Sequence, residues 1–234
     1  MSWGGSFSYS WNPPPPATRV TTSRTELLHI GVAYAVLTFD LLLVISGMTI
    51  LRGGSAGGLL SISPEIIAAA AGAAATGFVA HEMAHKVVAQ RRGFWAEFRV
   101  FPMGLMLSLI TSAFGWLFAA PGATMVGGIQ PSDAPSWGRT SLAGPMTNAA
   151  FAAAFYAGAF GTLWWHPAAA SWLLFLAFIN AWFGAFNLIP FGPLDGRKVL
   201  RWSTPVWVVA FAATAAATII TYVALQGPGP TLGL

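Results

Sequence analysis

Apolar positions in this chain do not alternate with polar ones; they gather into long unbroken runs. Runs near or above the ~20 residues that cross a bilayer as a helix occupy roughly 26–50, 65–90, 140–162, 168–189 and 204–226, with a weaker run at 102–120. The punctuation between them is informative. Ser63-Pro64-Glu65 reads as a helix start, with a capping hydroxyl, a proline in the first turn and an acid at the positive end of the helix dipole. Gly93 is placed to end the helix that follows. The stretch FWAEFRV after it alternates apolar and polar residues, which predicts a short strand. PGATMVGGIQPSDAPSWG reads as a loop with strand at its start, and LRGGSAGGLL as a glycine-rich turn. Residues 1–25 are proline-rich and polar, the pattern of a flexible or surface-lying tail. With no internal repeat, 26–234 is expected to form a single transmembrane domain with its core at about 65–200.

Composition sharpens this into a membrane reading. The chain is 56% hydrophobic and 8% charged, where a globular domain carries about 25% charged residues, so a soluble fold of this size could not cover its surface. The first run starts too late, and lacks the small-residue cleavage site, to read as a signal peptide. The expected fold is an all-α polytopic membrane protein, multi-pass in the cell membrane, with five to six transmembrane helices and a short strand or re-entrant segment after the second run. The absence of cysteine excludes disulfides and thiolate metal sites. The net charge of +4 is too small for a nucleic-acid footprint and points to topology determinants instead.

Their distribution bears on the 102–120 run. If it crossed once, Arg19, Arg24, Arg91, Arg92 and Arg99 would face Arg52, Arg139, Arg197, Lys198 and Arg201, five against five. If it dips in and returns, the last four join the first group, nine against one, with Lys86 inside its helix. Cytoplasmic loops are enriched in Lys and Arg, so the re-entrant arrangement with a cytoplasmic N-terminus is expected.

Against this background FVAHEMAHKVVA, residues 78–89, is anomalous, because it sets four ionisable groups in an apolar helix. An ionisable residue in mid-membrane costs about 2.5–3.5 kcal/mol on insertion scales. Lys86, nearer the helix end, is expected to snorkel outward, and a Glu82–Lys86 pair would be a bland alternative. His81 and Glu82 need another reason. His81 and His85 are four apart and stack on one helical face. Two imidazoles at that spacing can hold one Zn²⁺, with Glu82 beside it to take a proton from water as it attacks a carbonyl.

A catalytic zinc site takes three protein ligands and keeps one position open. Outside the motif the candidates are His29, His166, Glu26, Asp40, Glu65, Glu97, Asp133 and Asp195. Most sit at span ends or in loops, which leaves Asp40 in mid-span and Asp195. The latter lies in NLIPFGPLDG, where Pro190 and Pro193 interrupt an apolar helix and Gly192 and Gly196 allow an unusual turn. A further element, Gly144-Pro145 followed by Asn148, reads either as helix punctuation or as part of a site.

Taken in order, His81-Glu82-x-x-His85, Gly144-Pro145-x-x-Asn148 and Asn187-x-x-Pro190-x-x-x-Leu194-Asp195-Gly196 resemble the motifs of the site-2 protease family of intramembrane zinc metalloproteases, over roughly residues 65–200. The resemblance implies one Zn²⁺ per chain, held by His81 and His85 on one transmembrane helix and Asp195 on another. Glu82 would be the catalytic base, and Asn187 would help hold the substrate or the helix break. Asn148 and Asn187 are both candidate substrate-binding residues. The implied substrate is a transmembrane segment of another membrane protein; the oligomeric state stays open. Two features depart from the family pattern. Arg197 stands where many members have a second glycine, and 102–120 is long and apolar where a short strand-rich connection is expected. No stretch fits a PDZ domain, so substrate choice is not expected to rest on one. The competing readings are another membrane-embedded zinc hydrolase acting on a lipid amide or soluble peptide, and a non-enzymatic metal-binding or transport protein. Glu82 argues against the latter, since holding zinc requires no base there.

Overall fold

All but one of the long helices among the described residues begin where a short polar side chain takes over an amide left free by the first turn. The computed structural model describes residues 20–50, 62–118 and 120–226; the tail at 1–19 and the glycine-rich turn at 51–61 lie outside the described residues. Helix α1 (Arg24–Ile45) starts at Ser23, whose Oγ accepts from the Glu26 amide at 3.1 Å. Helix α2 (Pro64–Arg91) starts at Ser63 with Pro64 in its first turn, as the sequence predicts, and gives way at Gly93 (φ 83°). Strand β1 (Trp95–Val100), helix α3 (Pro102–Ala113) and strand β2 (Gly122–Gly127) follow. Helix α4 (Ala134–Thr162) is capped by Asp133, whose carboxylate accepts from the Ser136 amide at 3.0 Å; the Ser136 side chain first, and this amide second, hold it below its ordinary pKa. Helix α5 (Pro167–Asn187), the short α6 (Asp195–Trp202) and α7 (Thr204–Gln226) complete the chain.

Four helices among the described residues, α1, α2, α5 and α7, are long and apolar enough to cross a membrane. The longest, α4, has 29 residues but carries Ser136, Thr140, Ser141 and Asn148, all buried inward. This is an all-α polytopic membrane protein. The outward faces carry Val209, Ile219 and Phe160, apolar side chains suited to lipid. The exposed Trp164 and Trp165 at the α4–α5 turn suit a membrane interface. Between α1 and α2 the packing relies on small residues: Ala69, Ala70, Ala73 and Ala74 lie against Ala33, Leu37 and Leu41. Where lipid is as apolar as the helices, close backbone approach supplies the attraction.

The chain from 102 to 120 folds back on itself. β1 and β2 pair antiparallel, with Val100 opposite Gly122, so the chain that leaves at Phe101 returns beside its starting point. The 12 residues of α3 span ~18 Å, well short of a ~30 Å hydrocarbon core. Gly104 permits the return, since a Cβ there would sit 1.8 Å from the Ala120 carbonyl oxygen. The inner face of α3 packs on α1, where Ser112 Oγ donates to Asp40 Oδ1 at 2.8 Å. The sequence pattern shows the apolar run but not that it is a helix closed by its own two-stranded sheet.

One expectation is corrected. Lys86 does not snorkel and does not pair with Glu82. It is 1% exposed and its Nζ donates to Glu26 Oε2 on α1 at 2.6 Å. Removing one partner of such a buried pair costs ~3–5 kcal/mol.

Candidate metal centre

Toward its end α2 changes character before it delivers the motif. Residues Ala74–Val79 form a π-helical segment, a local widening frequent at functional sites. Here the carbonyls of Thr76 and Gly77 accept from Asn148 Nδ2 of α4, at 3.4 and 2.9 Å. That fixes which way the Asn148 amide points, and its Oδ1 meets His81 Nδ1 at 2.6 Å. One turn on, His85 Nδ1 meets the Thr140 carbonyl oxygen at 2.7 Å. Both partners are acceptors, so each Nδ1 carries the proton and each Nε2 presents a lone pair.

The two lone pairs converge with a carboxylate. His81 Nε2 and His85 Nε2 are 3.0 Å apart, and Asp195 Oδ2 lies 3.3 Å from the first and 3.0 Å from the second. All three residues are buried. Three electron-rich atoms aimed at one point repel unless a cation lies between them. Tetrahedral ligands at about 2.0–2.1 Å from zinc stand about 3.3 Å from one another, so this triangle has the size zinc requires. Gly144 leaves room for it: a Cβ there would lie 2.6 Å from His81 Nε2 and 2.5 Å from His85 Nε2. Two neutral imidazoles and one carboxylate form a borderline-soft donor set that zinc favours.

Asp195 reaches the site by a route the transmembrane expectation did not anticipate. α5 ends at Asn187, and the chain then turns through Gly192 (φ 58°). Asp195 is the first residue of the eight-residue α6 rather than part of a membrane-spanning helix. Pro190 and Pro193 prevent α5 from continuing. Gly196 has ordinary helical geometry; it is needed because the Leu188 carbonyl oxygen would lie 1.9 Å from a Cβ there. Lys198 Nζ stands 3.5 Å from Asp195 Oδ1, leaving Oδ2 for the triangle. Asp40, the other candidate third ligand, stays at the α1–α3 contact outside the triangle.

Glu82 is buried beside the histidines, and its Oε2 accepts from the Thr124 amide of β2 at 2.8 Å. The Thr124 hydroxyl donates to the Glu82 carbonyl oxygen at 2.9 Å, so the motif helix and β2 are tied twice. A cavity of about 530 Å³ opens onto Glu82, His81, His85 and Asp195, bordered by β2 on one side and by Phe183 and Asn187 on another. Asn187 Nδ2 donates to the Phe183 carbonyl oxygen at 3.0 Å. Asn148, expected with Asn187 as a substrate contact, is instead engaged with His81, the π segment and Asn180.

Sequence reading missed Asn180, whose Nδ2 donates to Thr76 Oγ1 at 2.9 Å and whose Oδ1 accepts from Asn148. Its signal was available, as a polar amide in the middle of an apolar span. Thr140 acts through its carbonyl and Thr124 through its amide as well as its hydroxyl, and neither carries such a signal.

Comparison with known proteins accords with this geometry. Over 142 residues the chain is 37% identical to a Methanocaldococcus jannaschii protein named "Putative zinc metalloprotease MJ0611", a match covering 58% of this chain and 71% of that one. Over 135 residues it is 33% identical to "Putative zinc metalloprotease Rip3" of Mycobacterium tuberculosis, covering 53% of this chain but 28% of the longer relative. No family model matches the chain, and no solved structure matches it.

Proposed function

The chain belongs to the site-2 protease family of zinc metalloproteases, and from that premise we propose that it hydrolyses peptide bonds within or beside transmembrane segments of other membrane proteins. The observation that carries the reading is the convergence of His81 Nε2, His85 Nε2 and Asp195 Oδ2 next to Glu82, inside a bundle of membrane-length helices. In this reading those three residues hold one zinc per chain. When bound, zinc acidifies a water and polarises the scissile carbonyl. Glu82 takes the proton from the attacking water and delivers it to the leaving amine. The Thr124 amide holds the Glu82 carboxylate in place for both transfers. Asn148 and the Thr140 carbonyl fix the imidazoles in the tautomer that exposes Nε2. Asn187, which borders the cavity, is in this reading the amide that meets a substrate carbonyl.

A helical substrate hides its carbonyls in its own hydrogen bonds, so it must be unwound to react. β2 is suited to receive it. One edge pairs with β1, and the other carries the Thr124 amide facing Glu82. An extended substrate laid along that second edge would bring its backbone to the base. The cavity walls are mostly apolar, which favours an apolar segment over a charged soluble peptide. The direct test is cleavage by the zinc-loaded protein in liposomes, offered a transmembrane helix and a soluble peptide of the same sequence. Faster cleavage of the embedded helix supports the reading; cleavage of the soluble peptide alone rejects it in favour of a general zinc hydrolase.

The orientation belongs to the same proposal. With 102–120 re-entrant, Arg91, Arg92, Arg99, Arg139, Arg197, Lys198 and Arg201 share one side, which the positive-inside rule makes cytoplasmic. The N-terminus is then cytoplasmic, and the metal centre lies toward that side of the cell membrane. The chain has no cysteine, so Ser132→Cys, at an exposed position before α4, gives a single reporter. Ser136 is unsuitable, being buried against Arg92. In intact cells a membrane-impermeant thiol reagent should leave Cys-substituted Ser132 unlabelled until the membrane is permeabilised. Labelling from outside would reverse the topology.

A further inference from the structure

The motif helix carries a second set of polar side chains that the hydrolytic chemistry leaves unused. Glu82, Lys86 and Gln90 are spaced four apart and share one face of α2. Glu82 meets β2, while the other two meet β1 and the start of α1. Lys86 Nζ donates to Glu26 Oε2 at 2.6 Å and to Thr22 Oγ1 at 2.7 Å. Glu26 Oε1 accepts from the Phe98 amide of β1 at 3.0 Å. Gln90 Nε2 donates to the Ala96 carbonyl oxygen at 2.8 Å, and its Oε1 accepts from the Thr21 amide at 2.8 Å. His29 Nδ1 accepts from the Val100 amide at 3.3 Å.

Ala96, Phe98 and Val100 alternate along β1, so their main-chain polar groups point to the same side, away from β2. Every one of these contacts is made by a side chain. An unpaired strand edge invites another strand; here the outer edge of β1 is closed by Gln90, Glu26 and His29. The opposite edge of the sheet, on β2, is left facing Glu82 and the cavity. The central contact is the most elaborate. Glu26 and Lys86 are 0% and 1% exposed, although charged groups in a protein interior are costly and apolar side chains of similar size pack there well. A carboxylate does what an apolar side chain does not: one oxygen holds the lysine while the other holds β1.

We propose that Glu26 is a positioning residue for catalysis: clamped by Lys86, it anchors β1 at Phe98 and thereby sets the β2 edge, and the Thr124 amide on it, against Glu82. The proposal rests on the reading of Glu82 as the base and β2 as the substrate edge. Force passes from Glu26 to Phe98, across the sheet to Thr124, which stands opposite Phe98 in the register, and from Thr124 to the Glu82 carboxylate. A pair that merely staples α1 to α2 would have no such consequence at Thr124.

Two double variants of the full chain separate these roles. Lys86→Met with Glu26→Gln removes both charges but keeps an acceptor for Phe98. Lys86→Met with Glu26→Leu removes the acceptor too. In the leucine variant, amide hydrogen exchange should rise together at Phe98 and Thr124, by about tenfold or more, as for two groups in one opening unit. Its kcat on a transmembrane substrate should fall about ten- to a hundredfold through misplacement of the base, with zinc content and KM unchanged. The glutamine variant should recover both properties. Wild-type exchange at Thr124 in the leucine variant, or equal loss of kcat in both variants, overturns the proposal. A leucine variant that does not fold is replaced by native-state exchange of the unaltered protein in mild denaturant. There the two amides should open with one slope, and separate openings overturn the proposal. The exchange readout needs no turnover. Coupled amides in a protein that cleaves nothing would therefore sink the protease reading and leave the anchoring of β2 by Glu26 standing.

Discussion

Glu82→Gln is expected to lower peptide hydrolysis by roughly a hundred- to ten-thousandfold, the range for loss of a positioned general base, while bound zinc stays at the wild-type level. The substitution is nearly isosteric, and the glutamine oxygen can still accept from the Thr124 amide, which now meets Glu82 Oε2 at 2.8 Å. The residue therefore keeps its place and loses only its capacity to take a proton. Glu82 is not one of the three atoms in the metal triangle, so metal affinity has no reason to fall. KM should change little, because the carboxylate faces the reacting centre rather than the length of the substrate. The measurement is metal content by atomic spectroscopy beside the initial cleavage rate. A variant with zinc and near-normal turnover would mean that another group is the base.

Asp195→Ala should release the zinc that His81 and His85 then hold alone. Loss of an orienting partner outside the ligand shell already weakens metal binding about ten- to a hundredfold, and loss of a ligand should cost at least that much. Asp40→Ala, removing the other buried mid-chain aspartate, should leave zinc in place, because Asp40 bonds Ser112 at the α1–α3 contact instead of facing the imidazoles. The pair of variants separates the triangle from a general demand for buried carboxylates. Gly144→Ala should reach the same metal-free state by a steric route, its Cβ pressing within 2.6 Å of both Nε2 atoms. Zinc lost from the Asp40 variant and kept in the Asp195 variant would reverse the ligand assignment.

How much of this was legible in the chain depended on how local each signal was. His81, Glu82 and His85 lie within two turns of one helix, so their spacing alone set their shared face. Asp195 was one of two survivors of elimination, and the broken, proline-flanked helix around it was visible because such breaks at membrane depth need a reason. Charge counting favoured a re-entrant course for 102–120, and the Val100–Gly122 pairing shows the chain returning beside its starting point. What stayed hidden was the choice of tertiary partner. Nothing near Lys86 announced that it would bury itself against Glu26, 60 residues away, rather than pair with Glu82 one turn back. Asn148 was recognised as significant, but its distance from His81, 67 residues in sequence, gave no hint that it would hold an imidazole. The Thr140 contact to His85 and the Thr124 contact to the Glu82 carboxylate are made by backbone groups, which every residue possesses. The π segment likewise has no apolar pattern of its own; it becomes explicable only once Asn148 and Asn180 are packed against it.

The central claim is that this metal centre cuts a peptide bond in or beside the membrane, and mass spectrometry of the products tests it most directly. The zinc-loaded protein and its Glu82→Gln variant would be reconstituted in liposomes with a single-span substrate, and the product masses would locate the cut. The account predicts a zinc-dependent cut within or at the edge of the apolar span, absent from the Glu82→Gln sample. A cut confined to soluble flanking sequence, or an equal cut by the variant, would contradict it.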